Sequence, residues 1–308
     1  DHTDDHEAHG NPFTPEDVTR TKEVMGIPDE PFWAPSELVE AYRDTMAQRG
    51  REPFARWQQA LDGRNGDERA AWDAAWGQTG TKGWDADLPV FEQGEKLATR
   101  QAIAKVLAAC VEDFPGLISG AADLTGNTGT KLPDGTAQHS AAEPGGRQLY
   151  YGVREHAMGA ALVGMGRHGG VLPVGGTFFV FLDYMRPPVR LAALSRAKAV
   201  FVFSHDSVGV GEDGPTHQPV EQLAILRATP GLQVIRPADA NETVAAWRAA
   251  VDHDGPTALV LSRQGIPVCT DGSAVERGAG IVRDVEGEPS VIIVATGSEV
   301  AVALDAAS

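Results

Sequence analysis

From about residue 96 onward the chain alternates helical stretches with short runs of β-branched residues, and this constrains its fold more than any other feature. Glu95 to Phe114 has helical composition and period, and Leu117-Ile118 begins a short apolar segment. Arg154 to Arg167 reads as a helix rich in glycine (Gly159, Gly164, Gly166), Val171 to Val174 as a strand, and Phe178 to Ser195 as a helix kinked at Pro187-Pro188. Ala199 to Ser204 is a strand of the fully buried type; Val234-Ile235 is another, followed by a helix over Ala240 to Val251 and a strand over Thr257 to Ser262. Strands separated by helices predict an α/β fold: a parallel sheet with helices on both faces. Ligand sites in such sheets gather in the loops that leave the carboxyl ends of the strands. A second α/β unit is expected to begin with Val291-Ile292-Ile293-Val294 and a helix from Ser298.

The first third follows a different pattern. Residues 1–95 hold 21 acidic and 9 basic side chains against 22 and 17 in the rest, so most of the net charge of −17 lies there. Five of the six tryptophans (Trp33, Trp57, Trp72, Trp76, Trp84) share that segment, and each must bury apolar area somewhere. Thr14-Pro15-Glu16-Asp17 carries an N-cap, a first-turn proline and two acids that suit the helix dipole. Pro35-Ser36-Glu37 starts a second helix that Gly50 is expected to end. The segment reads as a helical arm wrapped over another surface rather than as a self-contained domain. A 42% apolar chain of 308 residues is too rich in core material for wholesale disorder. Its longest uncharged apolar stretch, His168 to Leu182, is broken by Gly and Pro and falls short of the roughly 18–20 residues of a membrane span. Neither a membrane nor nucleic acid is an expected partner of so acidic a chain. No export signal is recognisable, and two cysteines (Cys110, Cys269) make no disulfide framework, so a cytoplasmic location is expected.

Four segments carry candidate chemistry. The loop His205-Asp-Ser-Val-Gly-Val-Gly-Glu-Asp-Gly-Pro-Thr-His217-Gln-Pro219 follows a strand, and its glycines let backbone N–H groups converge beside histidines and acids. It reads equally well as a plain glycine-rich connection, and a metal pair of His205 and His217, twelve residues apart, is the weaker option. In Tyr151-Gly-Val-Arg-Glu-His156, Glu155 falls in the first turn of a helix, where an acid also has a purely structural use. The glycines of that helix argue for something beyond structure, since alanine would serve a structural helix better. Phe178, Phe181 and Tyr184 recur at i, i+3 and i+6 on one helix face, which suits either a core stripe or a ligand platform. His2, His6 and His9, among Asp4, Asp5 and Glu7, have a spacing that suggests a metal, but terminal residues ahead of any helix are commonly mobile.

Together these runs resemble the transketolase family of thiamine diphosphate enzymes. Weaker support comes from Ala98-Thr-Arg100, Ala122-Asp-Leu124 and Leu261-Ser-Arg-Gln264, in the family's order and at about its spacing. The resemblance implies the thiamine diphosphate-binding fold, with a pyrimidine-binding domain over 96–270. Residues 1–95 would then be the end of the diphosphate-binding domain plus a linker arm, and 271–308 a linker and the start of a carboxy-terminal domain. It implies that Glu155 bonds the aminopyrimidine ring, whose own base removes the thiazolium C2 proton, and that Phe178, Phe181 and Tyr184 surround that ring. Asp123 and His6 would be further cofactor contacts. His217 (with His6) would contact substrate oxygens and assist proton movements, and Asp213 would bond the hydroxyl next to the acceptor aldehyde. Arg100, His205 and Arg263 would ring a sugar phosphate, where guanidinium forks suit phosphate oxygens.

Two departures matter. Where the family usually has a serine at the phosphate site, this chain has Asn127, which can still donate, so altered affinity is expected rather than loss. The Gly-Asp-Gly region that binds Mg²⁺ or Ca²⁺ and the diphosphate is not in this sequence, so the metal ligands are expected elsewhere. The resemblance therefore implies one side of an active site, completed in a homodimer or by a partner chain carrying the diphosphate-binding domain. Asp1 in place of a start methionine fits a fragment or a processed product. The expected activity is transfer of a two-carbon ketol unit between sugar phosphates. The alternatives are dihydroxyacetone synthase, whose motifs are closely similar, and a half-site subunit inactive without its partner.

Overall fold

The computed structural model describes residue 2 and residues 4–308, which form two compact units, Asp1–Asn65 and Gly66–Ser308. In the first, helix α1 (Pro15–Met25) opens on a reciprocal capping box. The Asp17 amide donates to Thr14 Oγ1 (3.2 Å) and the Thr14 amide donates to Asp17 Oδ2 (3.1 Å). Gly26 closes it in the left-handed conformation, φ 66°. Helix α2 spans Ser36–Asp62, so Gly50 does not end it and Pro53 lies inside it. Good helix formers on both sides carry it through these two weak positions.

The second unit holds the sheet. Its strands are β1 (Lys96–Leu97), β2 (Leu117–Ala121), β3 (Gln148–Tyr150), β4 (Leu172–Phe178), β5 (Val200–Ser204), β6 (Gln233–Ile235), β7 (Thr257–Leu261) and β8 (Ile266–Pro267). Six of them form one all-parallel sheet in the order β3-β2-β4-β5-β7-β6, while β1 and β8 pair antiparallel beside it. Its helices are α3 (Gly66–Trp76), α4 (Thr99–Cys110), α5 (Thr125–Thr128), α6 (Glu155–His168), α7 (Leu182–Ser195), α8 (Gln222–Arg227), α9 (Ala240–Asp252) and α10 (Glu299–Ala306).

Both faces of the sheet are covered, as the uninterrupted apolar strands require. Alternate residues serve opposite sides: Val200, Val202, Leu259 and Leu261 join Ile103, Val106, Phe114 and Trp247 under α4 and α9. Phe201, Phe203, Ala258 and Val260 join Met158, Leu162, Met185 and Val189 under α6 and α7. Each fully buried side chain of this size stabilises the fold by roughly 1.5–3 kcal/mol. Three of the five early tryptophans belong to this unit: Trp84 meets Phe114 edge-on at 4.9 Å, and Trp72 and Trp76 lie against each other, with Trp76 also facing His168.

The structure corrects several expected boundaries. Glu95 to Phe114 is not one helix: β1 occupies Lys96–Leu97 and a 3₁₀ turn follows α4 at Val111–Asp113. The strand expected to end at Val174 runs on to Phe178, and a 3₁₀ turn over Phe179–Phe181 leads into α7. The expected helix over Phe178 to Ser195 therefore begins only at Leu182, and it continues unbroken through Pro187 and Pro188. No strand forms over Val291–Val294, whose side chains are exposed, although the helix after Ser298 is present. A strand there needs neighbours to pair with, and the described residues supply none.

Gly159 of α6 also has a packing explanation. A Cβ on Gly159 would stand 2.7 Å from Met185 Cγ and 2.8 Å from Pro188 Cγ, so its missing side chain lets α6 lie close against α7. The preference for alanine in a structural helix does not hold where another helix packs this tightly.

Candidate active site

The strand order reverses at β2: β3 lies on one side of it and β4 with all later strands on the other. Such a switch point leaves a crevice at the carboxyl ends of the strands. Asp123 lies just beyond the end of β2, Phe178 is the last residue of β4, His205 follows β5, and Arg263 lies just past β7. These four strands are consecutive neighbours, and the register sets Phe178 beside Ser204 and Ser204 beside Leu261. Asp123 (φ 64°) and His205 (φ 62°) both hold left-handed backbone conformations, uncommon outside glycine and asparagine. Two such positions on one sheet edge mark where the backbone bends to aim side chains into the crevice.

An aromatic cluster lines that edge. The Phe178 and Phe181 rings stack nearly parallel (6.0 Å, 8°), and His205 stacks on Phe178 at 3.7 Å. His217 approaches both phenylalanines edge-on, at 6.3 Å and 5.5 Å, and Tyr184 lies 6.0 Å from Phe181. Phe178 and His205 are buried, Phe181 and His217 half-buried, and Tyr184 exposed. The three aromatic residues do converge, but across a strand end, a 3₁₀ turn and a helix rather than along one helix face.

Beside the cluster lies a cationic group. Arg100, in the first turn of α4, donates to the Asn127 carbonyl (3.3 Å), and Arg263 donates to Glu212 Oε1 (2.8 Å). Burial first, then the adjacent Arg263, pull Arg100 below the usual guanidinium value, and its Nε is a buried donor without a partner. Burial, then Arg100, push the His205 imidazole down to about 4, with Arg263 and His217 adding to the fall and Asp213 opposing it. Ser204 Oγ lies 3.3 Å from the Asn127 carbonyl and 2.9 Å from His205 Nδ1. Donating to the carbonyl leaves the hydroxyl to accept from Nδ1–H, which directs the Nε2 lone pair of neutral His205 away from the strand. Two half-buried guanidiniums, near enough that Arg263 acts on Arg100 and both act on His205, suit an anion.

Glu155 opens α6, the helix that follows β3. The residue as a whole is 8% exposed, and its carboxyl has no hydrogen-bond or ion-pair partner among the described residues. A carboxyl left open at the head of this helix can accept from a ligand donor. Tyr151, four residues earlier, likewise has a buried hydroxyl without a partner, and burial raises its phenol to about 12. Asp123, Asn127 and Asp213 expose their side chains. His6 belongs to the first compact unit, where it sits exposed in the 3₁₀ turn His6–His9. Among the described residues no three His, Cys, Asp or Glu side chains come together in a way that could hold a metal ion, so neither His2-His6-His9 nor the loop histidines form such a cage.

Sequence reasoning missed the groups that hold this site in place. Thr99 and Ser262 bond to each other directly behind the two arginines, and the buried Asp206 pairs with Arg236 (2.7 Å) next to His205. A signal was present: each arginine is immediately preceded by a small hydroxyl residue, in Thr99-Arg100 and Ser262-Arg263.

The fold and site define an α/β domain with an aromatic cluster, a cationic group and an unpartnered carboxyl among the described residues, on the carboxyl edge of its parallel sheet. The model of the transketolase pyrimidine-binding domain matches residues 95–268, and that of the transketolase thiamine diphosphate-binding domain matches residues 1–71. The chain belongs to the transketolase family. Transketolase of Mycobacterium tuberculosis is 44% identical over 322 aligned residues, covering 97% of this chain and 46% of that protein. The Geobacillus stearothermophilus enzyme is 42% identical over 318, with the same two coverages. Among solved structures, transketolase from Leishmania mexicana superposes with a TM-score of 0.87 at 39% identity, covering 96% of this chain and 44% of that one. A Pichia stipitis transketolase in complex with sedoheptulose 7-phosphate gives 0.83 at 37%, covering 96% and 45%. The chain spans about half the length of the curated relatives it matches. Among the described residues no helix is long and apolar enough to cross a membrane.

Proposed function

We propose that this chain supplies the pyrimidine side of a transketolase active site, for thiamine diphosphate-dependent transfer of a two-carbon ketol unit from a ketose phosphate to an aldose phosphate. The observation that carries this is Glu155: a carboxyl without a partner among the described residues, on a residue 8% exposed at the head of α6, in a domain of this family. It fits a pyrimidine ring nitrogen, with which it would share a proton. Thiamine diphosphate, when bound, supplies the carbanion chemistry that cleaves and remakes a carbon–carbon bond.

The chain's residues would bind and orient around that chemistry. Phe178, Phe181 and Tyr184 offer ring faces to the pyrimidine and exclude water, and Asp123 is a further cofactor contact. Arg100, His205, Arg263 and Asn127 take the sugar phosphate, which displaces Glu212 from the Arg263 fork. Asp213 accepts from the hydroxyl beside the acceptor aldehyde, and His217, braced by two phenylalanine rings, contacts a substrate oxygen. His6 would join from the segment that matches the diphosphate-binding domain. The metal, Mg²⁺ or Ca²⁺, would be held by the remainder of that domain, in a homodimer or a partner chain in the cytoplasm. The sugar phosphate bound by the Pichia enzyme supports the substrate class.

Glu155→Gln keeps the size and removes the proton-sharing carboxylate. In the assembled enzyme it is expected to slow exchange of the cofactor's C2 proton by about 100-fold, within the range for a lost acid–base group, with an unchanged melting temperature. Unchanged exchange removes Glu155 from this role. Transfer to formaldehyde without comparable turnover of ribose 5-phosphate would favour dihydroxyacetone synthase.

A further inference from the structure

Arg100 and Arg263 lie on different elements, 163 residues apart, yet Arg263 helps pull Arg100 below the usual guanidinium value. Left to themselves, two guanidiniums without an anion between them would swing apart into solvent. The backbone segments that carry them are fastened to each other. The Thr99 amide donates to Ser262 Oγ at 3.0 Å, and the Ser262 amide donates to Thr99 Oγ1 at 2.7 Å. The two hydroxyls are 3.2 Å apart, the Arg100 amide reaches the Ser262 carbonyl (3.4 Å), and Ser262 Oγ is 3.1 Å from the Gln264 carbonyl. Thr99 is fully buried and Ser262 is 1% exposed, so water does not compete for these bonds. On the other side Gly129 presses against Arg100: a Cβ there would lie 2.1 Å from the Arg100 carbonyl oxygen. The first turn of α4 is thereby fastened to the end of β7 by side chains that the proposed reaction itself does not use.

We propose that the reciprocal Thr99–Ser262 pair is a positioning clip that sets the spacing of Arg100 and Arg263 and so confers preference for phosphorylated substrates. The clip touches no substrate. It acts by fastening together the two backbone segments that bear the arginines, so that binding does not have to gather them first. The proposal rests on the sugar phosphate reading above, and the tests separate the two.

Thr99→Val keeps the shape and removes the hydroxyl, Ser262→Ala removes the other half, and Thr99→Ser restores the bonding. In the assembled holoenzyme, Thr99→Val and Ser262→Ala are expected to raise KM for ribose 5-phosphate about tenfold, the scale of one weakened charge-assisted hydrogen bond. The kcat/KM for unphosphorylated ribose is expected to stay within about twofold on the same reasoning, and Thr99→Ser to behave as the native protein. Titration of inorganic phosphate, which needs no turnover, should show the same weakening. Equal losses on both acceptors would make the pair merely structural, and unchanged phosphate affinity would overturn the clip. Native protein that binds phosphate but transfers no ketol unit would overturn the reaction and leave the clip to be decided by the phosphate titration.

Discussion

His205 shows how much one residue's surroundings decide. As a residue type it titrates near neutrality, but burial against Phe178 and the charges of Arg100 and Arg263 hold it down to about 4. Its folded value lies below its unfolded one, so its contribution to stability is complete above about pH 6.5 and declines as the pH falls from there toward 4. Over that window the unfolded chain takes up a proton that the native site refuses. A phosphate between the guanidiniums would reverse the balance by favouring the imidazolium. Followed by NMR, the His205 ring signals should hold still from about pH 8 to about 5. Added inorganic phosphate should then move the midpoint upward. An ordinary titration indifferent to phosphate would remove His205 from the anion site. The residue types at these positions were legible in the sequence because motif and spacing marked them. The left-handed backbone at Asp123 and His205 was not, since neither residue is a glycine.

Elements were legible wherever the pattern was local. The buried strands β5 and β7 and helix α9 lie within a residue of their expected bounds, because apolar runs and helical period mark them directly. The three-residue β3, by contrast, is held by pairing with β2 and by Gln148, whose side chain bonds the Leu132 amide and the Ser119 carbonyl. None of these partners is near it in sequence. Phe178 to Phe181 looked helical because aromatic spacing cannot distinguish a helix from a strand that ends in a tight turn. Asp239 is a second tertiary device. This fully buried residue caps α9 through the Glu242 amide (2.9 Å) and accepts from the Cys269 (2.8 Å) and Thr270 (2.6 Å) amides. Asp239→Ala would orphan three donors, one buried and two part-buried, and is expected to destabilise the fold by roughly 3 kcal/mol. Denaturant unfolding would register this as a lower midpoint, and a loss below about 1 kcal/mol would contradict the cap's role.

At the scale of the whole molecule, the charge of −17 belongs mainly to the first 95 residues, while the sheet edge gathers Arg100, His205 and Arg263. Net charge therefore says little about the ligand, and the proposed anion site comes from residues the fold brings together. The fold class was readable, and so were the residue types gathered at the strand ends, because the motifs fall there in a fixed order. The clip behind the arginines and the free state of Glu155 depend on distances no sequence displays. The central claim is that this chain bears one half of a ketol-transfer site. It is tested most directly by producing the 308-residue chain and assaying transfer from xylulose 5-phosphate to ribose 5-phosphate, with thiamine diphosphate and Mg²⁺, before and after adding a separately made diphosphate-binding half. The account predicts no turnover from the chain alone and cofactor-dependent turnover from the pair, abolished by Glu155→Gln. Robust turnover by the chain alone, or a cofactor-loaded pair that transfers nothing, would contradict it.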